Sequence, residues 1–175
     1  MTANNPLLQD FDLPPYSQIK PEHVEPAVDQ ILADSRTAIA KLLEQQQANP
    51  SWDGLVLALD ELGARLGRAW SPVSHLNAVC NSAELRAAYE ACLPKLSEYW
   101  TEMGQNKPLF EAYDALAKSP AAEGFDVAQQ TILEHALRDF RLSGIDLPAE
   151  QQKRYGEIQM RLSELTSKFS NQLLD

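Results

Sequence analysis

The sequence predicts an all-α fold, an antiparallel bundle of about six helices entered through an extended N-terminal arm. Three observations predict it. Apolar residues recur every three or four positions through most of the chain, which is the helical period. No run alternates apolar and polar over a strand length, and Asn-Gly hairpin turns are absent. Capping residues and breakers cut the periodic stretches into pieces of helix length. No segment repeats at a fixed period, so a solenoid is not supported.

Residues 1–20 carry Pro6, Pro14 and Pro15 among Leu7, Leu8, Phe11, Leu13 and Tyr16. Proline fixes φ and discourages helix in the residue before it, so this part is read as an extended arm. Its apolar residues predict a strap laid against the helices. Residues 21–175 form the helical domain. Pro21 and Pro26 bracket a short 3₁₀-like turn in this reading. A main helix then runs to about Gln47 with Val24, Val28, Ile31, Ser35, Ile39 and Leu42 on one stripe, and Asn49-Pro50 ends it.

Ser51 caps the second helix, whose stripe of Leu55, Leu59, Leu62, Leu66, Trp70, Val73, Leu76 and Cys80 continues through Pro72 and predicts a bend there. Gly63 and Gly67 predict close approach of a neighbouring helix. Asn81 with Glu84 reads as a capping box opening the third helix, through Leu85, Tyr89, Cys92, Leu96, Trp100 and Met103, kinked at Pro94 and ended by Gly104. Tyr99-Trp100 and the pair Phe110 and Tyr113 are read as core anchors. Asn106 starts a shorter fourth helix, and residues 119–125 are a loop. Asp126 with Gln129 caps the fifth helix, and Gly144-Ile145 closes it in a Schellman-like end. Pro148 suits the first turn of a sixth helix.

That sixth helix places Tyr155, Ile158, Leu162, Leu165, Phe169 and Leu173 in near-heptad spacing, with no terminating glycine or proline before Asp175. At 1.5 Å per residue it spans about 40 Å, more than the roughly 30 Å of a small domain. Its last turns are expected to lack a partner within this chain, and an uncovered apolar stripe marks a missing surface. Self-association through Leu162, Leu165, Phe169 and Leu173 is the physical expectation.

A chain of 175 residues with 44% hydrophobic and 23% charged residues fits one folded domain. The formal net charge of −10 repels phosphate backbones and anionic lipid heads, so no nucleic acid and no membrane partner is expected. No apolar run has the length of a membrane span, and Met1 to Asp12 lacks the basic and apolar blocks of a secretory signal. Cys80 and Cys92 are expected to stay reduced, in a cytoplasmic setting, as buried or half-buried thiols. On helical geometry they stand roughly 15 Å apart, beyond disulfide reach.

No catalytic, cofactor-binding or metal-ligating residue is assigned. His23, His75 and His135 stand far apart in sequence, and the zinc motif His-Glu-x-x-His is absent. Glu134 with Arg138, and His135 with Asp139, read as surface pairs one helical turn apart. Ser71, Ser74 and Ser143 are nucleophiles by residue type only, with no Gly-x-Ser-x-Gly turn around them. The segment from Ser71 to Asn77 is the densest polar cluster inside an apolar stripe. A substrate contact is one reading of it. The favoured one is that Ser74, His75 and Asn77 satisfy backbone groups freed by Pro72.

Several segments nevertheless carry a resemblance. They are Asn5-Pro6-Leu7-Leu8, Leu13-Pro14-Pro15-Tyr16, the stretch from Ile19 to Ala27, and Ser71 to Asn77 with Asn81-Ser82 and Glu84-Leu85-Arg86. Further on come Leu137 to Phe140, Leu142 to Ile145, Arg154 to Ile158 and Arg161 to Leu165. In order and over essentially the whole chain from Asn5, these resemble the start of the thimet oligopeptidase and neurolysin family of zinc peptidases. The resemblance implies a helical clamshell whose narrow channel admits short peptides, with zinc on a His-Glu-x-x-His helix beyond the equivalent of Asp175 and the motif's glutamate as general base. It implies that this chain is the N-terminal channel-wall region and is inactive alone. Its partners would be short peptides, through the complete enzyme, and the C-terminal catalytic part. The alternative is a free-standing helical protein-interaction module that uses the sixth-helix stripe as its binding face.

Overall fold

One long helix, α1 (Pro21–Gln46), is the spine of the interior. The computed structural model describes residues 4–47 and 49–174, with the side chain of Leu174 excepted. The first three residues of the predicted arm, and Asp175 at the end of the predicted sixth helix, lie outside the described residues. Along the chain follow a π-helical turn (Trp52–Leu57), α2 (Ala58–Val79), α3 (Ala83–Gly104), α4 (Lys107–Ala117), α5 (Val127–Leu142) and α6 (Ala149–Leu174). Among the described residues there are six α-helices and no strand, as the periodicity predicts.

Two apolar clusters divide the interior, and α1 contributes to both. Val24, Ala27, Val28, Ile31 and Leu32 pack with Leu7 of the arm, Leu66, Ala69 and Val73 of α2, and Leu85, Cys92, Leu96 and Tyr99 of α3. One end of α1 supplies Leu42 to the second cluster, with Leu55, Val56, Leu109, Tyr113, Leu116, Leu133 and Phe140. Each fully buried large aliphatic side chain contributes roughly 1.5–3 kcal/mol, so these clusters carry the fold. Ion pairs pin the spine at its rim. Lys95 meets Glu25 and Asp29, Arg36 meets Glu102, and Arg65 meets Asp34.

The arm lies against the helices at Leu7, Leu8 and Ile19, while Leu13 and Tyr16 between them are exposed, and it is not extended throughout: Pro6–Leu8 and Tyr16–Gln18 are 3₁₀ turns. Two expectations at the helix starts are corrected. Pro26 does not set off a separate turn, because α1 is continuous from Pro21. The loss of one bond near a helix start is outweighed by the buried stripe of Val24, Ala27 and Val28. Asn81 is not the cap of α3. Ser82 is, accepting from the amide of Leu85, while Asn81 donates to the carbonyl and side chain of Asn77. The caps at Ser51, Asn106 and Asp126 are as expected, the last with Gln129 in a full capping box.

Gly144 takes φ 87° and completes a Schellman end: the Ile145 amide donates to Phe140 and that of Gly144 to Arg141. Gly104 does not stop α3 by a left-handed turn. It lies within the helix, where a Cβ would stand 2.6 Å from that of Ser143, so its role is close approach. Pro148 precedes α6, its carbonyl accepting from Gln151 and Gln152. The stretch 119–125 is mostly a 3₁₀ turn, Pro120–Gly124, rather than open loop. Arg138 pairs with its neighbour Asp139 and not with Glu134 as expected.

Candidate functional site

Two walls and a floor make a long concave surface. α3 is the floor. α2 and α6 rise from it on either side, and a trough runs between them. Its first stretch, about 520 Å³, is bounded by Gly63, Gly67 and Trp70 of α2, Leu96 and Trp100 of α3, and Tyr155 and Leu162 of α6. Its second, about 540 Å³, continues past Ser74 and Asn77 to Ser170 and Leu173, and shares Leu93, Ser163 and Thr166 with the first. Trp70 stacks on Tyr89 at a centroid distance of 4.8 Å, which braces one wall against the floor.

The trough corrects two expectations. Gly63 and Gly67 do not receive a close helix within this chain, for a Cβ on either would meet nothing within 4 Å. Trp100 is not a core anchor: it is 56% exposed on the trough side, while its neighbour Tyr99 is buried. α6 leans on α3 but has no buried residue among those described, with Leu162, Leu165, Phe169 and Leu173 all exposed.

The polar cluster of α2 is divided by the fold. Ser74 and Asn77 line the trough, and Asn77 accepts from Asn81. His75 turns the other way to meet the Tyr16 ring of the arm at 5.5 Å. His23 accepts from the Lys20 amide at the start of α1, and His135 is exposed on α5. Ser71 is exposed, and Ser143 abuts Gly104. The structure thus brings none of these candidates together as a catalytic set. The cysteines are both free. Cys92 is buried, and burial pushes its thiol up to about 12, whereas Cys80 is exposed at the end of α2, contrary to the expectation of burial.

The signal that foretells the trough is compositional. Gly63, Gly67, Ser74 and Ala78 lie on one face of α2, and Gln159, Ser163, Thr166 and Ser170 on one face of α6. Such lanes of small and uncharged residues are easily passed over beside the stronger leucine stripes.

Comparison with known proteins decides the family. Residues 28–152 match the profile described as Neurolysin/Thimet oligopeptidase, N-terminal domain. The chain belongs to this family. It is 54% identical over its whole length to Oligopeptidase A of Haemophilus influenzae and 51% identical over 98% of its length to Oligopeptidase A of Escherichia coli. A protein named Probable cytosolic oligopeptidase A in Arabidopsis thaliana is 34% identical over 99% of it. The chain spans about a quarter of the length of these relatives. Family resemblance implies zinc, yet the residues present do not fit it. Among the described residues, no group of three or more His, Cys, Asp or Glu side chains is placed to hold a metal ion. Nor, among them, is any helix long and apolar enough to cross a membrane.

Proposed function

We propose that this chain is the N-terminal channel-wall region of a zinc-dependent oligopeptidase that hydrolyses short peptides in the cytoplasm. One observation carries the proposal: identity of 54% over the entire chain to a quarter of an Oligopeptidase A. The work of this region is confinement. Helices braced by two cores give a rigid wall, which limits the substrate to unfolded segments and holds it near chemistry performed elsewhere. Among the described residues no group is placed to hold a metal ion, and in this reading the zinc and its bound water belong to a later part of the enzyme.

Reading the source gene past the codon for Asp175 tests the proposal. An open frame that reaches a His-Glu-x-x-His helix supports it, and a stop codon at that point overturns it in favour of a helical interaction module. The purified 175-residue chain should hold no stoichiometric zinc and leave a quenched fluorescent peptide intact. Chelator-sensitive cleavage by a homogeneous sample contradicts that part.

A further inference from the structure

We infer that the trough between α2 and α6 is a slot for one more helix, supplied by the part of the protein that follows residue 175. The inference rests on the reading above, that the chain is the first part of a longer peptidase.

Charge is the first observation. None of the residues lining either stretch of the trough is charged, in a chain where 23% of residues are. An occupant with a charged face would be desolvated there without a partner, so the occupant presents an uncharged one. Width is the second. α2 offers Gly63, Gly67, Ser74 and Ala78 to the trough, and a side chain added at either glycine meets open space. Trp70, which also lines the trough, is laid down by stacking on Tyr89, so beside the two glycines α2 lets a helix axis approach to the usual 8–10 Å or so of packed helices.

The polar lining distinguishes a helix from an extended segment. A strand laid in the trough needs partners for its amides and carbonyls at every step, whereas a helix satisfies its own. The serine and threonine hydroxyls on α6 can bond back to carbonyls of their own helix and so ask nothing of the occupant. The exposed ring of Trp100 and the exposed Leu162 and Leu173 at the margins supply the apolar area that docking would remove from water. A relative matched over this whole chain is about four times longer, which leaves ample chain to supply the helix.

The double substitution Gly63→Leu with Gly67→Leu tests the slot by opposite signs in two proteins. In the 175-residue chain the new side chains fill empty space on a helix, and leucine is the better helix former at both positions, so the melting temperature should rise by about 3–6 °C. In the full-length product of the same gene the same side chains occupy the slot, and the melting temperature should fall below that of the unsubstituted protein. A rise in both proteins overturns the slot while leaving the peptidase reading intact. A gene that stops at Asp175 ends the peptidase reading and takes the slot with it.

Discussion

The side-chain amide of Asn5 donates to the main-chain carbonyl of His23 over 2.7 Å, tying the arm to the first turn of α1. The other end of the same side chain accepts from the Leu7 amide, so a residue only 4% exposed has its polar groups matched on both sides. Asn5→Ala leaves buried groups unpaired and should cost about 1–3 kcal/mol in urea unfolding. Gln9→Ala, at an exposed position of the same arm, should change stability by no more than about 0.5 kcal/mol. Equal effects from the two would mean that the arm does not act as a strap.

The two thiols should separate cleanly. Cys80 is exposed and should react with a disulfide reagent at once, while Cys92 should react only as the chain opens. Burial raises the Cys92 thiol from 9.0 to about 12, and burial likewise raises the Tyr113 phenol from 10.0 to about 12. Below pH 9 both are protonated in native and unfolded chains, and their contribution is complete. From about pH 9 for the thiol and 10 for the phenol, the unfolded chain releases protons that the native chain keeps. Stability therefore falls with rising pH until about 12. Urea midpoints across that range check the slope, which Cys92→Ala should make shallower. A midpoint flat from pH 9 to 11 would contradict the burial of both groups.

Gly144 is the position where glycine's conformational freedom is needed. Its φ of 87° lies in the left-handed region, and an added Cβ would also meet Leu147 Cδ1 at 2.8 Å. Gly144→Ala should cost more than about 1 kcal/mol. Gly124→Ala, where an added Cβ meets nothing within 4 Å, is the control. An unchanged thermal midpoint for Gly144→Ala would sink the Schellman assignment.

Self-association of the 175-residue chain is expected through Leu162, Leu165, Phe169 and Leu173, the last two being 64% and 73% exposed. Sedimentation velocity should show mass rising with concentration. Leu165→Glu with Phe169→Glu should return a monomer, since covering the stripe removes apolar area from water only while it is apolar. A monomer for the unsubstituted chain at high concentration would count against the stripe as an association surface.

Much of this architecture is legible in residue order, and for a local reason. Helix starts at Ser51, Asn106 and Asp126, and the stop at Gly144, depend on groups three or four residues apart, which a sequence displays directly. Where reading failed, a choice between neighbours or between faces was involved. Asn81 and Ser82 are both competent caps, and only the engagement of Asn81 with Asn77 leaves the role to Ser82. Trp100 and Tyr99 are adjacent aromatics, and Tyr99 is the one that points inward because it packs in the cluster built on α1. The trough is only faintly legible, as lanes of small uncharged residues, because it is made by helices far apart in sequence and is marked by a lack of charge rather than by a motif. Zinc belongs to the proposal alone, since among the described residues no group is placed to hold a metal ion.

α1 serves both apolar clusters, and α6 serves neither. That asymmetry sets a hierarchy of hydrogen exchange. Amide protons near the middle of α1 are shielded by two clusters that must both open before solvent reaches them, so their protection approaches that of global unfolding. Those of α6, with no buried residue to hold the last turns in place, exchange through local opening. The domain is therefore built from a slow inner rod and a fast outer one, and docking on the outer rod would register as protection spreading outward from α3.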